Sequence, residues 1–149
     1  PVDILEKPAR LTSNEFYTMK SNVFHTYRIL SRFIGDKDIV EWASYHHEKL
    51  NGKGYPFRLR ANRIPLGSRI MAVADIFTAL TEDRPYKKSL SSREAIKILI
   101  HLAEKGEIDS QTVKILEKNL KFIDRSRKVS QEKAAKFYRE IRNNPLLYE

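Results

Sequence analysis

The chain has no cysteine, which excludes disulfides and thiolate metal sites. Any metal bound here must sit on imidazole, carboxylate and water, a donor set that suits iron, manganese or zinc. No apolar run approaches the roughly 20 residues that span a bilayer. No secretory signal opens the sequence, so a cytoplasmic location is expected. No strand pattern of any length is present, nor a repeat or a low-complexity tract. Glycine is scarce, with 5 in the chain, yet Gly52 and Gly54 fall in one short stretch.

What remains is the composition of a soluble globular protein, 41% hydrophobic and 32% charged. A length of 149 residues fits one domain, and a chain of that size buries roughly 70% of its unfolded surface. The net charge of +9 attracts anions such as nucleotides, acidic membranes or acidic partners. No helix carries the dense Lys/Arg stripe of a dedicated nucleic-acid binder, so no specific nucleic acid is expected.

Helical periodicity organises most of the chain, and an all-α bundle of about five to six helices is expected. Thr12 and Glu15 read as a capping box for a helix over residues 12–34. Phe16, Met19, Val23, Tyr27 and Leu30 form its apolar stripe, with Phe24 widening it. A second helix is expected over residues 36–48, with Ile39, Val40, Ala43 and the pair His46/His47 on its inner side. Residues 51–65 form a loop too long to be a plain connection. Residues 66–83 should form a central helix that is apolar nearly all round and therefore buried. Ser91 and Glu94 open another helix as a second capping box, ending at Gly106. Asp109 caps the next, and a final helix is expected over residues 130–142.

Two features point to chemistry. His46-His47-Glu48 runs into a turn that carries Gly52, Gly54, Tyr55 and Pro56. Imidazole is the commonest side-chain metal ligand, and glycine lets backbone approach a ligand closely. An ordinary turn beside a helix end is the plainer alternative. The second feature is Asp75, the one charge inside the apolar run 70–80. A buried carboxylate needs a compensating partner, and the histidine pair makes a shared cation the favoured one. Arg84 and Lys87 follow at the end of that helix, where they can hold phosphate oxygens.

Together these residues resemble the HD-GYP family. His46-His47-Glu48, Gly52 and Gly54-Tyr55-Pro56 match its signature. Ile64-Pro65, Ala72-Val73-Ala74-Asp75, Ala79-Leu80 and Arg84-Pro85-Tyr86 continue it in order. Lys7-Pro8, Leu11-Thr12, Glu15-Phe16 and Met19-Lys20 match its earlier section, so the resemblance covers about residues 1–115. It implies an HD-type helical bundle, a cluster of divalent metal ions (iron or manganese), and hydrolysis of cyclic di-GMP. By position it makes His46, His47 and Asp75 metal ligands. Tyr55, Arg84 and Lys87 become contacts to the dinucleotide. Its loop is also thought to contact diguanylate cyclase (GGDEF) domains.

The chain departs from that pattern. The family's His-Asp dyad should lie just before Pro1, so the chain reads as a single HD-GYP-like domain over 1–149 without that segment, with a C-terminal helical extension over 123–149. Asn22 stands where the family has a histidine, and Asn51 where it has an aspartate. Arg58 and Ala61 replace glycines, and Thr78 an acid. His25, one turn from Asn22, is a candidate displaced ligand. The expected function is a degenerate or truncated module in cyclic di-GMP signalling, binding nucleotide or protein with weak or no hydrolysis. The alternative is an active metal-dependent phosphodiesterase completed by upstream residues. Apolar surface left uncovered in this form makes a homodimer an expectation as well.

Overall fold

The computed structural model describes residues 4, 7, 9–83 and 88–142. They form six α-helices: α1 (Ser13–Phe33), α2 (Lys37–Tyr45), α3 (Leu66–Thr81), α4 (Ser92–Glu104), α5 (Ser110–Lys118) and α6 (Leu120–Arg142). A 3-10 turn at Ala61–Arg63 precedes α3. The all-α architecture is the expected one; the described residues contain no strand, only an isolated bridge between Asn51 and Arg60. No helix among them is long and apolar enough to cross a membrane. The chain divides into two compact units, Pro1–Lys114 and Ile115–Glu149.

The local start signals act as read. Thr12 accepts from the Glu15 amide while the Glu15 carboxylate accepts from the Thr12 amide, and Lys7 holds the same carboxylate at 2.7 Å. Ser91 and Glu94 repeat the reciprocal arrangement at α4. Asp36 caps α2 through the Asp38 and Ile39 amides, and the Asp109 carboxylate accepts from Thr112 at the head of α5. Gly106, with φ of 66°, turns the chain after α4.

In the first unit α1 packs on α2, α2 on α3 and α3 on α4. Val23, Val40, Val73, Phe77, Ala95 and Leu99 are buried there. Small side chains bring α2 and α3 close together. Ser68 is fully buried and donates to the Glu41 carbonyl, and a side chain at Gly67 would collide with the Trp42 ring.

Four expectations need correction. First, α2 stops at Tyr45 instead of running on to residue 48, because Glu48 is drawn into the following loop. Second, α3 is not buried all round. Leu66, Ile70 and Met71 are exposed, since α2 and α4 cover only part of its surface, and Asp75 emerges on the open part with its side chain 48% exposed. Third, Ile39, read as inward-facing, is exposed, and on α4 it is Ile96 that is buried while Ile98 is exposed. Fourth, the last helix begins at Leu120, not residue 130. Its predecessor closes at Asn119, whose side-chain amide donates to the Ile115 carbonyl.

Candidate functional site

The His-Glu stretch forms the turn that leaves α2. His46 caps the helix, and His47 follows with its ring centroid 4.2 Å from that of His46. Glu48 then points into the loop. It is buried, and its carboxylate accepts from the Phe57 amide at 2.6 Å and the Leu59 amide at 3.0 Å. Burial raises its pKa, while the backbone hydrogen bonds from Phe57, Leu59 and Arg58 oppose the rise.

The loop is therefore tied to the turn that precedes it. Gly54 is buried against that turn, and a Cβ there would overlap the Glu48 and Lys49 backbone. Gly52 has φ of 77°. The Tyr55–Pro56 peptide is cis. Phe57 fills an aromatic cluster, with ring centroids 4.9 Å from Tyr27 and 5.5 Å from Tyr45. Leu50 donates to the Glu107 carbonyl, whose side chain also pairs with Lys49. The far end of the loop is held by Arg69, which donates to the Ala61 and Ile64 carbonyls and pairs with Asp109 at 3.4 Å.

Against this frame Tyr55 lies on His47, centroids 4.8 Å apart and planes 26° from parallel. On the other side of the pair, His47 Nδ1 faces Asp75 Oδ2 at 3.9 Å. Burial lowers the His47 pKa, His46 adds to that effect, and Asp75 opposes it. A neutral imidazole at neutral pH follows. The contact is then not an ion pair but a neutral imidazole nitrogen facing a carboxylate oxygen. Tyr55 has its pKa raised, first by burial and then by Asp75.

The structure thus brings together His47, Asp75 and Tyr55, with His46 alongside. The His46 Nδ1 atom is buried and has no hydrogen-bond partner among the described residues. His25 stands apart, exposed on α1 and edge-on to Phe24. Asn22 is likewise exposed. Arg84 and Lys87 lie outside the described residues. Sequence reasoning gave Glu48 no role of its own and passed over Arg69, the two side chains that hold the loop. Glu48 left a signal, a carboxylate directly after two histidines, whereas Arg69 left none.

Two donors on one first-row cation sit roughly 3 Å apart for metal–ligand bonds of about 2.1 Å. The His47–Asp75 separation of 3.9 Å exceeds that modestly, so the pair suits one edge of a cation's coordination shell after slight closure. The described residues contain no group of three or more such donors. They do not complete a metal centre by themselves.

Comparison with known proteins adds relatives. A family described as the HD domain matches residues 1–112. The chain is similar to the 3'3'-cGAMP-specific phosphodiesterase 1 of Vibrio cholerae, 39% identical over 119 residues, which cover 80% of this chain and 28% of that protein. It is similar to a cyclic di-GMP phosphodiesterase of Pseudomonas aeruginosa, 39% identical over 114 residues, covering 74% of this chain and 27% of that protein. A cyclic di-GMP phosphodiesterase of Thermotoga maritima is 40% identical over 109 residues, covering 70% of this chain and 29% of that protein. The chain spans under a third of the length of each of these relatives.

Proposed function

The chain belongs to the HD domain family, in its HD-GYP form, and from that premise we propose that it is a cyclic-dinucleotide module whose own residues bind more effectively than they hydrolyse. The observation that carries this reading is the His47–Asp75 pair, two donors 3.9 Å apart without a third close enough to complete a cluster among the described residues. Asn22 supports it, because a neutral amide oxygen is a poor replacement for imidazole on a transition metal. The relatives named for cyclic di-GMP and for 3'3'-cGAMP make cyclic purine dinucleotides the ligand class. Divalent cations, when bound in such a site, polarise a phosphoryl oxygen and lower the pKa of bound water.

In this reading His47 and Asp75 hold one cation weakly, and Tyr55 orients the imidazole by stacking. Arg84 and Lys87 supply phosphate contacts. A diguanylate cyclase domain is a candidate partner for the loop, and a second copy of the chain a candidate cover for the open side of α3. Calorimetric titration with cyclic di-GMP and 3'3'-cGAMP, paired with a hydrolysis assay in manganese or iron(II), tests the reading. Binding without turnover is expected; sustained turnover by residues 1–149 overturns it.

One observation favours a second reading. The buried, unpartnered His46 Nδ1 is a donor without a task. In an active phosphodiesterase that atom joins a centre completed by donors outside residues 1–149. A longer chain that turns over cyclic dinucleotide and loses activity on His46→Ala is the expected result for that reading.

A further inference from the structure

A cleft of about 660 Å³ opens between α1 and the loop, with Tyr55 in its lining. Tyr17, Lys20 and Phe24 of α1 line one wall; Lys53, Tyr55 and Arg58 line the other. Among the described residues, no carboxylate lines it. Among the described residues, no ion pair engages Lys20, Lys53 or Arg58. Lys20 Nζ instead sits over the Phe16 and Tyr55 rings, 4.4 and 5.3 Å from their centroids. Three unpaired cations and three aromatic rings therefore face one space of small-molecule size.

Arg58 supplies a separate observation. Its φ is 55°, the left-handed region, where glycine is the default residue and a side chain is strained. Glu48 enforces that conformation by accepting from Phe57 and Leu59, the residues on either side. Fold alone favours glycine at such a position. The chain carries an arginine there, among the residues that line the cleft.

We infer that this cleft is a nucleotide-binding site, taking a purine base between its aromatic walls and a phosphate monoester on Lys20, Lys53 and Arg58. Stacking platforms combined with cationic side chains are the chemistry that recognises nucleotides without reading sequence, and Arg and Lys hold phosphate oxygens by charge-assisted hydrogen bonds. The inference goes beyond the proposed function, because His46, His47 and Asp75 lie outside the lining and no metal is required. Only Tyr55 is shared, as a common wall.

The test is titration of the full chain with 5'-GMP at low salt and without added metal, beside guanosine and inorganic phosphate. GMP is expected to bind at least about tenfold more tightly than either fragment, since each lacks half of the recognition. Arg58→Gly is expected to weaken GMP by about tenfold or more, and Lys53→Ala, at an exposed loop position, to weaken it several-fold. A melting curve confirms that both variants fold. Asp75→Asn is expected to leave GMP affinity unchanged. Absence of GMP binding overturns the inference, as do equal affinity for inorganic phosphate or no effect of either cation variant. Loss of binding in Asp75→Asn also overturns it, because the nucleotide then occupies the His47–Asp75 site. Failure of cyclic dinucleotide binding, by contrast, bears on the proposed function alone.

Discussion

Tyr55 lies on the face of His47, with 4.8 Å between ring centroids, and carries Lys20 5.3 Å from its own ring centroid. One ring thus connects a cationic cleft to an imidazole that in turn faces a carboxylate. The hydroxyl has no hydrogen-bond partner among the described residues, so the ring supplies the contact. Tyr55→Phe is expected to change stability by less than about 0.5 kcal/mol. Tyr55→Ala removes a half-buried ring and is expected to cost about 2 kcal/mol. Chemical denaturation of the two variants distinguishes ring from hydroxyl.

The His47–Asp75 pair predicts a coupled loss. If both side chains hold one cation, His47→Ala and Asp75→Asn should each weaken manganese binding by at least about tenfold, as even indirect ligand changes do. The double variant should lose little more, because a cation that has lost one of two protein ligands is held by a single remaining one. Additive losses across the cycle would mean two independent sites. Isothermal titration of the four proteins gives the answer.

Glycine positions in this chain predict three different outcomes. Gly54→Ala places a methyl group inside the Glu48–Lys49 backbone and is expected to destabilise by about 3 kcal/mol, the range of overpacking. Gly52→Ala puts a side chain at φ of 77°, at roughly 1–2 kcal/mol. Gly35 has open space where a Cβ would sit and no positive φ, so Gly35→Ala is expected to gain about 0.5 kcal/mol by restricting the unfolded chain. Urea unfolding should rank them in that order.

How far the sequence could be read follows from the range of each cause. The caps at Thr12, Ser91 and Asp109 are decided within three residues, and all three are present. The end of α2 is decided by Glu48 reaching Phe57 and Leu59, nine and eleven residues on, which no local pattern records. The apolar run around Asp75 correctly marked a helix but not its burial. Periodicity reports that a side chain is apolar, while exposure of Ile70 and Met71 depends on which neighbours cover them. Asp75 and His47 stand out in the sequence through residue type and order; their approach to 3.9 Å from α3 and the end of α2 is a property of the tertiary fold.

The N-terminal cap predicts a pH dependence. The Lys7 ammonium and the Thr12 backbone and hydroxyl lower the Glu15 pKa from 4.5 to about 2. A carboxylate with a folded pKa below its unfolded one contributes its stabilisation fully above the unfolded value. That contribution is lost as pH falls from about 4.5 toward 2. Glu15→Gln should flatten stability against pH across that window and leave the profile above pH ~5 parallel to the parent. Thermal melts at closely spaced pH values check it.

Glu48 is where loop, site and cleft depend on one side chain. Buried and accepting from two amides, it fixes the backbone on both sides of Arg58 and sets the loop that presents Tyr55. Glu48→Gln keeps one acceptor oxygen and the side-chain volume, so about 1–2 kcal/mol is expected to be lost. Glu48→Ala leaves two amide donors without their acceptor and opens a cavity, for an expected loss of about 3–5 kcal/mol. Hydrogen exchange separates a loop effect from a global one. The Phe57 and Leu59 amides should lose protection in Glu48→Gln well before the Val73 and Leu99 amides do, because α3 and α4 pack without the loop. Equal loss at all four would mean that Glu48 supports the core and not the loop.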